Sequence, residues 1–152
     1  MPSSIREQIA AALIAALQGS SGITGLTIHR ERTRPIETDS LPAILVYFED
    51  DAPQPFDKQK FRSPFFERSL AVALQCRAQG SQSLSPDAAL DPVLVWAVTG
   101  GFVDETFGGL ALGAEELRTE WKSREADIAV AAATLHFSIR YRTTRLDPTS
   151  KP

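Results

Sequence analysis

The chain has 152 residues, 43% hydrophobic and 23% charged, with a formal net charge of −3 and a pI near 5.4. This is the make-up of one soluble globular domain with a real core, and the acidic balance argues against a general nucleic-acid binder, which carries a basic surface. The single cysteine, Cys76, rules out an intramolecular disulfide and suggests no metal cluster, and no apolar run reaches the roughly 18 residues of a membrane span.

Ser4-Ile5-Arg6-Glu7 reads as a capping box. Ile5, Ile9, Leu13, Ala16 and Leu17 then recur at helical spacing, so the pattern predicts an amphipathic helix from Ser4 to Gln18, stopped by Gly19. Arg6, Glu7 and Gln8 interrupt its apolar residues and no basic stretch leads into it, which is not the pattern of a signal peptide. Folding in the cytoplasm is therefore expected. Leu26 to Thr33 reads as a weak, polar edge strand. Ala43-Ile-Leu-Val-Tyr-Phe48 is apolar on both faces and reads as a central one. Asp50 to Phe65 holds Pro53, Pro55 and Pro64 among charges and phenylalanines. The prolines predict a long loop outside any ladder, and the phenylalanines raise the expectation of a binding role.

From Phe66 to Ala78 the chain alternates. Phe66, Leu70, Val72, Leu74 and Cys76 fall on the inward side, and Glu67, Ser69, Ala71, Ala73, Gln75 and Arg77 on the other. Ser85-Pro86-Asp87 opens a second helix with a cap, a proline at its first position and an acid near the positive dipole end. It is expected to end at Gly100-Gly101. Phe102 to Leu112 reads as loop or short strand with Gly108-Gly109 as a turn, and Glu115 to Lys122 alternates as a strand. The longest pattern is Ala126 to Thr144. From Ala133 onward Ala133, Leu135, Phe137, Ile139 and Tyr141 alternate with Thr134, His136, Ser138, Arg140 and Arg142. At about 3.3 Å per residue the whole run would span roughly 55–60 Å, so either a bulge bends it or one end leaves the domain body. Residues 146–152, LDPTSKP, have no evident means of ordering themselves and are expected to form a disordered tail behind a single domain over residues 1–145.

The order α-β-β-β-α-β-β predicts an α+β fold: a mostly antiparallel sheet of about four to five strands with two helices on one face. Chemistry is sparse. His29 and His136 each stand alone on a strand, with no metal-ligand spacing around them. There is no nucleophile elbow and no phosphate loop. No catalytic residue, cofactor or metal is expected, and the chain does not read as an enzyme.

Several features together resemble the tail terminator (tail completion, minor tail protein U-like) proteins of long-tailed phages and prophages. They are the amphipathic first helix, Leu41-Pro-Ala-Ile-Leu-Val-Tyr47, a strand after a long loop, a helix opening near Asp87 with Ala-Leu-Asp91, Gly108-Gly109-Leu110, and a last strand closing on Tyr141-Arg142-Thr143. The resemblance covers roughly Ile5 to Thr144. It implies a structural protein of the virion tail, assembled in the bacterial host cytoplasm. Such a protein forms a homo-oligomeric, hexameric ring that caps the finished tail tube and offers the surface for head–tail joining. Its partners would be itself, the tail tube protein and a head–tail connector or neck protein, with DNA only as cargo in the lumen and no membrane. Phe56, Phe61, Arg62, Phe65, Arg140 and Arg142 are the candidate interface residues. The alternatives are another phage neck or head–tail connector protein and, in a different class, a small-molecule-binding α+β domain.

Overall fold

The computed structural model describes residues 3–30, 41–53, 65–122, 130–144 and 147–151. In chain order its elements are helix α1 (Ile5–Leu17), strands β1 (Thr27–Arg30), β2 (Ala43–Pro53) and β3 (Phe65–Gln79), helix α2 (Pro86–Thr99), and strands β4 (Ala111–Lys122) and β5 (Val130–Thr144). The five strands form one sheet in the order β1-β2-β3-β5-β4. β1 runs parallel to β2 and every other pair is antiparallel. The architecture is α+β, with both helices packed on one face of the sheet.

The alternating patterns in β3 and β5 explain the centre. The two strands pair along their whole length, from Phe65 opposite Thr144 to Gln79 opposite Val130, with no register shift. One parity of each strand therefore makes one face. Leu70, Val72, Leu74 and Cys76 join Leu135, Phe137 and Ile139 in a single buried cluster with Ile5, Ile9, Leu13 and Leu17 of α1 and Leu90, Val93 and Ala97 of α2. β2 lies beside β3, and Ala43, Ile44, Leu45 and Val46 are all buried, as expected of a strand apolar on both sides. Of the long run expected from Ala126 to Thr144, residues 126–129 lie outside the described residues, and over Val130–Thr144 the strand has no bulge of its own: the register shifts fall in β2, between Phe48 and Asp50, and in β4.

The helices are fixed at their ends as well as along their stripes. Ser4 Oγ accepts the Glu7 N–H at 3.1 Å, and Ser85 Oγ accepts the Ala88 N–H at 3.2 Å. Trp96 Nε1 donates to the Leu17 carbonyl at 2.9 Å, so α2 satisfies one of the orphan carbonyls at the end of α1. Gly101 allows the close approach there, since a Cβ on it would lie 2.6 Å from the Ala97 carbonyl oxygen and 2.9 Å from Leu17 Cδ2. After α2, Phe102 stacks on Phe137 at 4.1 Å and meets Phe107 edge-on at 5.9 Å.

Four expectations are corrected. Only one arm of the capping box forms. Glu7 turns its carboxylate to Arg30, with contacts of 2.6 and 2.8 Å, because a bidentate charge-assisted pair outcompetes a return bond to a backbone amide. Asp50 to Pro53 do not belong to a loop. They pair with Ala71 to Arg68 of β3. The bulge after Phe48 lets the ladder resume, and Pro53 sits at the strand's last position, where its missing N–H breaks nothing downstream. β4 begins at Ala111, earlier than the alternation indicates. Lastly, the tail is ordered over residues 147–151. Thr144 N–H donates to the Ser150 carbonyl and Ile5 N–H to the Pro148 carbonyl, both at 2.8 Å. Asp147 holds the turn by accepting from Thr149 N–H, Thr149 Oγ1 and Ser150 Oγ. Its ordering thus comes from backbone groups at β5 and at the exposed start of α1, which composition does not reveal.

Candidate assembly surface

Strand alternation sends Phe65 and Glu67 of β3, and Arg140 and Arg142 of β5, to the face away from the helices. The register sets Glu67 opposite Arg142 and Ser69 opposite Arg140, which leaves Glu67 between two guanidinium groups. Arg140 Nη2 lies 2.7 Å from Glu67 Oε1 and Arg142 Nη2 lies 3.8 Å from Oε2. The Arg142 guanidinium also sits over the Phe65 ring, 4.8 Å from its centroid. Both arginines are open to solvent, with side chains 52% and 43% exposed. Three of the six candidate interface residues, Phe65, Arg140 and Arg142, are thus brought together. Phe65 is the first residue of β3 rather than part of a loop. Phe56, Phe61 and Arg62 lie outside the described residues.

The other face of the same strands carries a group that sequence reading missed. Arg68 has the parity of Leu70 and Val72 and so points inward, at the end of the core. Its Nε meets Asp51 Oδ1 at 3.2 Å, and Tyr141 donates its hydroxyl to Asp51 Oδ2 at 2.7 Å. Burial, reinforced by the hydrogen bond to Asp51 and by its negative charge, raises the Tyr141 hydroxyl well above its usual range. The signal was available: an arginine at an inward position of an apolar strand requires an anionic partner. The partner is hidden in the sequence because the prolines that follow Asp51 read as a loop. A cleft of about 450 Å³ opens beside this group, lined also by Arg6, Thr143 and Asp147.

The histidines differ from each other. His29 Nε2 lies 3.0 Å from Thr27 Oγ1. His136, with a side chain only 12% exposed, has Glu49 4.0 Å from Nδ1 and Glu120 3.5 Å from Nε2, although that nitrogen is buried with no properly directed hydrogen bond. The carboxylates come from β2 and β4, and Glu49 reaches across the small Ala71 and Ala73 of β3. Spacing along β5 alone could not reveal such a group. Among the described residues no cluster of three or more His, Cys, Asp or Glu could hold a metal ion. The Cys76 thiol is fully buried and is pushed up to about 12 by that burial.

Among the described residues β4 forms one border of the sheet, paired with β5 on one side only. Leu112, Leu117 and Trp121 on it are 49%, 54% and 64% exposed. For Leu117 and Trp121 this departs from the half-buried strand that their alternation suggests. The cause is the extent of the helix layer: α2 packs over β3 and β5, and on β4 only Ala111 and Ala114, at its start, belong to or pack on the core. No helix among the described residues is long and apolar enough to cross a membrane. No protein-family model and no curated protein sequence matches this chain.

Proposed function

We propose that this protein is a structural subunit of a phage or prophage tail, of the tail terminator kind, that assembles into a ring on the end of the completed tail tube and presents a surface for head–tail joining. The sequence resemblance suggests the class. The observation that carries the reading is the Phe65–Glu67–Arg140–Arg142 group on the helix-free face, at the end of two fully paired strands, in which both arginines are open to solvent while Phe65 and Glu67 are half-buried. Arginine and aromatic side chains held together on an exposed surface are the residue types that dominate protein–protein contacts, and the group directly follows the proline- and phenylalanine-rich segment 54–64. The ion pairs within it contribute little to folding, because exposed pairs are worth about 0–1 kcal/mol, so they remain available to a partner.

A ring requires a head-to-tail contact whose rotation closes, and six copies are expected from the resemblance. The chain has no catalytic role in this reading. Its partners are further copies of itself, the tail tube protein and a neck protein, with DNA passing through the lumen as cargo. The test is to incubate purified protein with tail tubes that lack a terminator and to image the tube ends. Six-membered rings on tube ends, lost with Arg140→Ala combined with Arg142→Ala, support the reading. Binding to head connectors but not to tubes would move the protein to the neck. A monomer that ignores both at every concentration overturns the proposal.

A further inference from the structure

The open border of β4 carries a short segment that is complementary to itself when reversed. Leu117-Arg118-Thr119-Glu120-Trp121 can be laid antiparallel against a second copy about a two-fold axis through Thr119. Arg118 then falls opposite Glu120 of the second copy and Thr119 opposite itself, while Leu117, at a register shift of β4, falls at the end of the paired stretch near Trp121. The Arg118–Glu120 pair occurs twice. We infer that this border is a two-fold docking seam for a second copy of the chain, joining two five-stranded sheets about Thr119.

The faces agree with this pairing. Arg118 and Glu120 lie opposite His136 and Thr134 of β5, and Thr119 and Trp121 lie opposite Leu135 and Ala133. The first pair therefore shares the helix-free face and the second the helix face. Directly opposed residues of antiparallel strands share a face, so an axis between two residues, which would set Arg118 against Thr119, is excluded. Slipping by two residues is excluded by charge. One slip sets Arg118 against itself, and the other sets Glu120 against itself and Arg118 against Lys122. Like charges directly opposite are destabilising. The Arg118–Glu120 contact within one chain, at 2.8 Å between side chains 61% and 54% exposed, already holds both groups at the border.

Shape supports the same seam. The helix layer stops short of the last half of β4, where Trp121 is 64% exposed. Two copies would bring their tryptophans to the same side of the joined sheets. Register shifts between Ala111 and Gly113 and between Glu116 and Arg118 bend the strand, leave Leu117 at the second bend and confine a straight seam to the residues from Arg118 on. Exposed edges are usually protected by charge against random pairing. Here the opposed charges disfavour a slip of two residues in either direction. The inference does not rest on the ring reading, since an isologous contact closes at two copies with or without a tail.

The experiment combines trapping with charge reversal. Thr119→Cys places a thiol on the axis, and the native Cys76 thiol is fully buried and does not compete. Mild oxidation should convert this variant to a disulfide-linked dimer, while Leu112→Cys, beyond the bend, should not cross-link. By sedimentation the unmodified chain should show a concentration-dependent dimer. Arg118→Glu should weaken it by roughly tenfold or more, as two repelling pairs replace two attracting ones, and adding Glu120→Arg should restore it. Circular dichroism confirms that each variant is folded. A chain that stays monomeric with no cross-link at position 119, a dimer indifferent to Arg118→Glu, or a double variant that fails to restore pairing would each overturn the seam.

Discussion

Glu67 and Arg68 are neighbours in sequence, as are Tyr141 and Arg142, yet the two members of each pair live in different surroundings. Glu67 and Arg142 meet on the helix-free face among exposed arginines. Arg68 and Tyr141 meet Asp51 at the mouth of the core. Both groups contain an arginine and a carboxylate at contact distance. On the open side the pair is screened by water, and losing it should hardly be felt by the fold. On the covered side the groups are largely withdrawn from water, so removing one strands the others. One step along a strand separates a group that can serve a partner from one that holds the fold together.

The contrast can be broken most severely from the core of the covered face. Leu13 is fully buried, and Leu13→Asp should unfold the domain because it buries an unpaired charge. A native circular dichroism spectrum and normal assembly would show that α1 is not core. Next in size, Asp51→Ala leaves the Tyr141 hydroxyl without its acceptor and Arg68 without its carboxylate, although Arg68 Nη2 can still donate to the Asp51 backbone carbonyl. It should cost about 2–4 kcal/mol in urea denaturation. A loss below about 0.5 kcal/mol would place the group with surface pairs.

Tyr141→Phe is milder, about 1 kcal/mol, and carries a pH signature. The hydroxyl is raised in the folded state, so its contribution is fully present below the usual tyrosine value of 10.0 and is lost as the pH rises above it, where the unfolded chain releases the proton first. The unmodified protein should weaken above that pH more steeply than Tyr141→Phe, and parallel alkaline profiles would contradict this. The smallest effect on stability should come from Arg142→Ala, which removes an exposed ion pair and a cation–π contact worth together about 1 kcal/mol or less. Its weight should appear in tail binding instead, and a variant that melts several degrees early while binding normally would reverse the contrast.

The architecture was legible because its signals are local. Caps at Ser4 and Ser85, helical spacing in α1 and α2 and period-two alternation in β3 and β5 are written in neighbouring residues. What escaped depended on distant partners. Asp51 was hidden by the prolines around it, although the bulge after Phe48 returns the chain to the ladder. The ordering of residues 147–151 depends on a free N–H at Ile5, more than 140 positions away. His136 is flanked by Glu49 and Glu120 only because β2 and β4 bring them there. Leu117 and Trp121 follow a strand's alternation correctly, but alternation cannot say whether a helix is wide enough to cover them. Of the candidate interface, Arg140 and Arg142 were readable from the polar parity of the last strand. Their shared partner, Glu67, needed the register.

The order β1-β2-β3-β5-β4 also dictates the order in which the sheet can close. β5 follows β4 in the chain yet lies between β3 and β4, so β4 has no strand to join until β5 is in place. Until then β4 exposes both borders together with Leu112, Leu117 and Trp121. Insertion of the last strand therefore ends the chain's most aggregation-prone interval, and a chain truncated before Val130 should be recovered largely insoluble because β4 is left unpaired.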